Sequence, residues 1–213
     1  MKSKLFLYFV IFYIISAFHA VRAEELSLRE AQDFAFNQGN MLLEAFSESD
    51  KSLRFAKLDK MFSECVDIEY IAKFVVGKYW REMSDNQKTR YLDIFKRYAK
   101  NAYKGLPLQF DNRISFKILS SRREADNVFV SAEIIYRRNT GNQETFAVEF
   151  RMHKPKSQIM LTDVKIGESS LIVSYRTKFY QMIKAADEDM EWFLEDFEIS
   201  AASAEKQYAL PDD

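Results

Sequence analysis

Three acidic residues have types and spacing that could support chemistry. Glu133 and Glu149 fall in neighbouring stretches of alternating residues, and Asp163 lies in the next one. Two carboxyl groups held close together would split their acidities, leaving one ionised and one protonated, as general acid–base catalysis requires. The phase of the alternation argues against this pairing. Glu133 and Glu149 sit opposite in phase to the apolar positions of their own stretches, so they are expected to face water. Asp163 stands between Leu161 and Val164 and is expected either to make a structural hydrogen bond or to face a ligand. Thiol–imidazole chemistry would rest on Cys65 and His153 alone, the single cysteine and the single histidine besides His19. Neither has supporting groups around it in sequence. Cys65 reads as a small buried hydrophobe. One cysteine allows no intramolecular disulfide, and one histidine beyond the leader excludes a multi-histidine metal site. The chain has no Gly-x-Ser-x-Gly elbow, no glycine-rich phosphate loop and no His-Glu-x-x-His. A protein without catalysis, cofactor or metal is the reading these residues favour. The basic pairs Arg122-Arg123 and Arg137-Arg138 fall at strand ends, where turn solvation explains them.

The elements that must position these groups follow from periodicity. Ser27-x-x-Glu30 is a capping box, followed by Leu28, Ala31, Phe34, Ala35, Met41, Leu42, Ala45 and Phe46 at helical spacing, through Gly39. A second helix is predicted from about Asp50 to Cys65, with Leu53, Ala56, Met61 and Phe62 inward. A third is capped by Asp67 and ends at Gly77, carrying Ile68, Ile71 and Val75. Ser84-x-x-Gln87 opens a fourth, with Tyr91, Phe95, Tyr98, Ala99 and Ala102 on one stripe. The period then changes to two over Arg113–Ile118, Val128–Tyr136 and Thr145–Met152, with a turn at Asn139–Asn142 and a last strand from about Gln158 to Ile166. Each strand has one apolar face, as in an antiparallel sheet wetted on one side. Helix returns at Ser169 or Ser170 with Leu171, Tyr175, Phe179 and Ile183 inward, and Trp192, Phe193 and Phe197 mark a final helix. The stretch from Ser200 to Asp213 reads as a polar, frayed tail. The expected fold is α+β: a curved antiparallel sheet of about four strands, with several helices covering one face and enclosing an apolar cavity.

Lys2 and Lys4, the apolar run Leu5–Ile15 and Val21-Arg22-Ala23 together read as a signal peptide cleaved after Ala23. The run is short for a membrane span, which needs about 20 residues. The full chain carries 31 basic and 32 acidic residues. The leader contains three of the basic ones (Lys2, Lys4, Arg22) and no acidic one, leaving 28 against 32, or −4. A mildly acidic surface argues against a nucleic-acid partner. Residues 24–199 fit one domain. With 19 phenylalanines and 11 tyrosines against 5 glycines and 3 prolines, the chain has large apolar groups to pack and some to spare for a ligand.

Two motifs carry a family resemblance. Phe74-Val75-Val76-Gly77-Lys78-Tyr79-Trp80 is followed by Arg81, and Asp163-Val164 is followed by Ser170-Leu171, Tyr175-Arg176 and Phe179. With the helix around Phe95 and Tyr98 and the exported N-terminus, the chain resembles the MlaC-type (toluene-tolerance) auxiliary proteins of ABC-type lipid transport. It departs from the family pattern at Ile159, where a tryptophan is usual, and at Glu168-Ser169, where Gly-Val is usual and Gly167 stands one place early. The resemblance implies a monomeric periplasmic shuttle that moves phospholipid between an outer-membrane lipoprotein complex and an inner-membrane ABC transporter complex. Its acyl chains would lie in an apolar cavity with the headgroup near solvent.

That job places a pocket between the sheet's apolar face and the helices. The lining expected is Val75, Val76, Phe95, Phe116, Val130, Ile134, Phe146, Val148, Phe150 and Phe179, with Tyr98 among them. Tyr79, Tyr175 and Arg176 are expected at its mouth, where a phenol or guanidinium can meet a phosphate; Arg81 is a weaker candidate. Two other readings remain open at this point. One is an isomerase-like enzyme on a similar cone, using an inward-facing Asp163. The other is an interaction protein with a filled core.

Overall fold

A computed structural model describes residues 25–102, 104, 114–137 and 142–208. The leader expected at residues 1–23 lies outside the described residues. Four helices come first: α1 (Leu28–Ser47), α2 (Lys51–Cys65), α3 (Ile68–Val76) and, after a 3-10 turn over Gly77–Arg81, α4 (Asp85–Ala102). The strands β1 (Ile114–Glu124), β2 (Asn127–Arg137), β3 (Gln143–His153), β4 (Met160–Ile166) and the two-residue β5 (Ser169–Ser170) pair antiparallel in chain order. Helices α5 (Leu171–Ala185) and α6 (Met190–Tyr208) complete the chain. The α+β expectation holds, with β5 as a fifth strand.

Polar residues set the helix starts. The Ser27 hydroxyl accepts from the Glu30 amide while Glu30 accepts from the Ser27 amide, closing the capping box. Asp50 and Asp67 accept from the Leu53 and Tyr70 amides. Ser84 and Gln87 repeat the reciprocal arrangement before α4. Gly77 ends α3 with φ +56°, a left-handed conformation that glycine adopts freely. A Cβ there would lie 2.5 Å from the Tyr180 hydroxyl and 2.6 Å from an Arg176 nitrogen, so glycine also lets α5 pack close. Gly167, at φ +56° with open space around it, takes the first central place of the two-residue turn that pairs Ile166 with Ser169. Gly-x is the usual chemistry for such a turn. The early glycine therefore makes the β4–β5 hairpin.

The register builds apolar rows across the sheet. Phe116 faces Ile134 and then Phe146; Ala132 faces Val148 and then Ile166; Val130 faces Phe150 and then Val164. A bulge between Ile118 and Ser120 shifts the phase of β1. Helix α1 lies on the apolar face: its Ala31 and Ala35, with Leu26 just before the helix, pack with Val128, Val130 and Met152 into one buried cluster. Its alanines and Gly39 permit the approach, since a Cβ on Gly39 would stand 2.7 Å from the Phe116 ring. A second, larger cluster joins α3, α4, α5 and α6 around Tyr91, Phe95, Phe179, Phe193 and Phe197.

The frayed tail expected from Ser200 is corrected by the structure: α6 runs on to Tyr208 and buries Ala201 completely. The cause is a clasp onto α4. Arg97 binds Glu198 at 2.6 Å and Glu205 at 3.0 Å. Both carboxylates push the Arg97 guanidinium above its ordinary range, led by Glu198.

Candidate functional site

An apolar cavity of about 290 Å3 opens where the two halves of the molecule meet. Leu161 and Val164 of β4 form its sheet wall. Phe62 and Val66, at the end of α2, and Ile68 and Ile71 of α3 form a second side. Phe95, Tyr98, Ala99 and Ala102 of α4 form a third, and Leu171, Ile172 and Tyr175 of α5 close it. Asp163 is the only charged residue among the described residues of this lining. Burial and the neighbouring Tyr98 push the Tyr175 phenol up. The volume is at the low end of the roughly 300–1,000 Å3 usual for ligand pockets.

The walls are held by local chemistry. Asp163 accepts from the Ser170 hydroxyl at 2.6 Å and from the Ile172 amide at 3.1 Å, and Ser170 accepts in turn from the Val173 amide. Each Asp163 oxygen is engaged in capping α5, where the helix dipole favours a negative group. Its structural role is thereby explained, and it is not poised as a base. On the other side the Asp67 amide donates to the Leu161 carbonyl at 2.9 Å, and Val66 bridges Leu161. Asp67 also meets His153 Nε2 at 2.8 Å, fastening the start of α3 to β3.

The other chemical candidates are engaged elsewhere. The Cys65 thiol donates to Gln38 at 3.1 Å, and burial pushes it up to about 11, so it is inert at neutral pH. Cys65 and His153 thus form no dyad. Glu149 pairs with Arg122 on the outer face and Ser131 donates to it. No group of three or more His, Cys, Asp or Glu among the described residues could hold a metal ion, and no helix among them is long and apolar enough to cross a membrane.

Of the residues singled out from sequence, Phe95, Tyr98 and Tyr175 stand in the cavity wall. Val75, Val76, Tyr79 and Phe179 are fully buried in the helical cluster and do not line the cavity, Phe179 packing directly against Phe95 and Tyr98 of its wall. Arg176 lies with its guanidinium over Phe74, and it donates to the Tyr180 hydroxyl at 3.2 Å beside Gly77. Tyr79 packs edge-on against Tyr180. Through Arg176, Tyr79 and Gly77 the two resemblance motifs meet each other, fixing α3 and its turn against α5, while Asp163, Val164, Leu171 and Tyr175 of the second motif line the cavity. Val130 and Phe150 pack under α1, Phe116 meets Phe150 and Gly39, Val148 is buried in the sheet, Ile134 is half-buried and Phe146 is 48% exposed. Sequence reasoning did not single out Phe62, Ile71, Ala99, Ala102, Leu161 or Ile172 as a wall. The available signal was Ala99 and Ala102 on the stripe of Phe95 and Tyr98, small residues among large ones.

Beside the cavity, sharing Phe62, Val66 and Ile68 with it, is a second depression of about 450 Å3 lined by Asp59, Lys60, Ser63, Lys96 and Lys100. Fold and site together define an α+β protein in which an apolar cavity at a sheet edge adjoins a polar one. The MlaC protein family model matches residues 40–196, and the chain belongs to that family. Among solved structures, the phospholipid-binding protein from Ralstonia solanacearum, in complex with a phospholipid, shares the fold at TM-score 0.65 and 19% identity, covering 82% of this chain and 98% of that one. A solved chain carrying an NTF2 label aligns at TM-score 0.32 and 18% identity, covering 64% of this chain and 99% of that one; that likeness is too low to carry an argument. No curated protein sequence matches the chain.

Proposed function

We propose that this protein is a periplasmic phospholipid carrier without catalytic activity, exported by a leader that is cleaved after Ala23. It would act as one domain and pass lipid between an inner-membrane ABC transporter complex and an outer-membrane lipoprotein complex. The observation that carries this reading is the cavity wall: 14 described residues, among them one charged group, which is committed to a helix cap. Family membership supports it, as does the shared fold of the Ralstonia phospholipid-binding protein. The isomerase-like alternative loses its base in the Asp163 cap, and the filled-core alternative is at odds with an apolar space of about 290 Å3.

That space holds about ten water-sized groups, so a two-tailed lipid enters as the walls part. Burying about 30 methylenes would release about 24 kcal/mol, beyond the practical affinity ceiling of about 18–21 kcal/mol, before the costs of binding are subtracted. Unaided release into water would be very slow, so handover occurs in contact with a partner.

Native mass spectrometry of the purified mature protein tests the reading. Stoichiometric phospholipid is expected, and Ala99→Trp, which fills the cavity from α4, should lower lipid occupancy at least ten-fold while leaving the fold intact by circular dichroism. An empty protein that takes up no lipid from vesicles would overturn it.

A further inference from the structure

The polar depression beside the cavity has a charge pattern that the fold does not require. Lys96 and Lys100 stand one helical turn apart on α4, and Lys104 follows at the same spacing. Like charges at this spacing repel and weaken a helix. Across from them, α2 adds Lys60. One carboxylate, Asp59, answers this row: it meets Lys100 at 2.9 Å and Lys104 at 3.5 Å. Lys60 and Lys96 are exposed, and the described residues lining the depression carry three positive charges against one negative. A favourable helix dipole accounts for Lys100 in the last turn of α4. It does not account for Lys60, on another helix.

The position of this cluster gives it a meaning. Phe62, Val66 and Ile68 line both the apolar cavity and the basic depression. An amphiphile with its tail against Leu161 and Ile172 and its polar end crossing that shared wall arrives among Lys60, Lys96 and Lys100. An ammonium beside a phosphate or phosphodiester makes a charge-assisted hydrogen bond. We propose that Lys60, Lys96 and Lys100 form an anionic headgroup site, so that the carrier selects phospholipids with net negative headgroups. The inference rests on the acyl chains occupying the apolar cavity.

The test is competitive loading of the full mature protein from vesicles of equimolar phosphatidylglycerol and phosphatidylcholine with identical acyl chains, read by native mass spectrometry. The unmodified protein is expected to load the anionic lipid in about five-fold excess, the size that a few exposed charge contacts supply. Lys60→Glu with Lys96→Glu should bring the ratio to one or below by lowering the loading of phosphatidylglycerol, with the circular dichroism of the folded protein unchanged. Lys117→Glu with Lys184→Glu changes net charge equally at exposed positions outside the site and should preserve the preference, separating headgroup contact from attraction to the vesicle. Equal loading of both lipids by the unmodified protein would overturn the headgroup site and leave the carrier reading standing. Loading of neither would overturn both. Inorganic phosphate, lacking tails, is expected to compete only above millimolar concentration; competition at micromolar levels would identify a free-anion site and overturn the proposal.

Discussion

The helical half and the cavity are built from the same kinds of residue and differ in whether space is left between them. In the helical half, Phe179 meets Tyr91, Phe95, Tyr98, Phe193 and Phe197 with ring centroids 4.9–6.4 Å apart. Phe193 stacks on Phe197, and the Tyr91 hydroxyl donates to the Ala72 carbonyl at 2.9 Å. One turn further along α4 the same stripe continues as Ala99 and Ala102, and the opposing wall is β4 in place of another helix. Truncated side chains on one side and a sheet edge on the other produce the space. Aromatic richness makes the rigid frame, and alanine makes the site.

The sharpest way to break this contrast is Phe179→Ala. Deleting a fully buried ring should cost about 3–5 kcal/mol, measured as a shift in urea midpoint with the slope unchanged; a loss below about 1 kcal/mol would show that the helical half is loosely packed. A smaller effect is expected for Gly77→Ala, where a positive φ and contacts near 2.5 Å with Tyr180 and Arg176 both oppose a methyl group. About 2 kcal/mol is expected, from the usual 1–3 kcal/mol for a strained backbone site, and Arg176→Ala should relieve part of it in a double-mutant cycle.

The smallest effect lies at the far end of the sheet-covering helix. The Ser27 amide, the Ser27 hydroxyl and Lys154, in that order, hold the Glu30 carboxyl down at about 2 from an ordinary 4.5. A group whose acidity is depressed by folding stabilises above its unfolded value and loses that contribution as the pH falls through its folded value. Amide protection at the start of α1, measured against the exchange of the unstructured chain at the same pH, should therefore fall between pH 4.5 and 2, and Glu30→Gln should remove this pH dependence while the helical half is unaffected. Equal acid sensitivity in both halves would blur the comparison.

Much of the frame was legible in sequence because caps and periods are local. Ser27, Asp50, Asp67, Ser84 and Ser170 each start the helix their side chains suggested, and the alternating strands pair in chain order. The site was less legible because periodicity reveals that a face is covered and leaves its covering unnamed. The stripe through Phe116, Val130 and Phe150 was correctly inward, yet α1 and its alanines occupy it. The pocket residues divide between α2, α3, α4, α5 and β4, so no single stretch announced them. Tyr79 and Arg176 looked like ligand groups by type. Their contacts with Tyr180 and Phe74 tie α3 to α5, which fits their place in the motifs that carry the resemblance. Ser200 onward looked like tail because its polar residues hide the spacing of Arg97 to Glu198 and Glu205, partners separated by about a hundred positions.

That separation has a consequence for synthesis. The sheet is a meander whose strands find partners as soon as the next hairpin appears, but Tyr91 and Phe95 have to wait for Phe179, Phe193 and Phe197, which the ribosome delivers roughly a hundred residues later. Contacts so distant in sequence form slowly. Until α6 arrives, the chain carries α4 as an uncovered aromatic strip, the kind of surface that chaperones bind and that drives aggregation. Truncation before Phe193 would strand the protein in that sticky state, so the chain must be shielded from other exposed apolar surfaces until α6 is made.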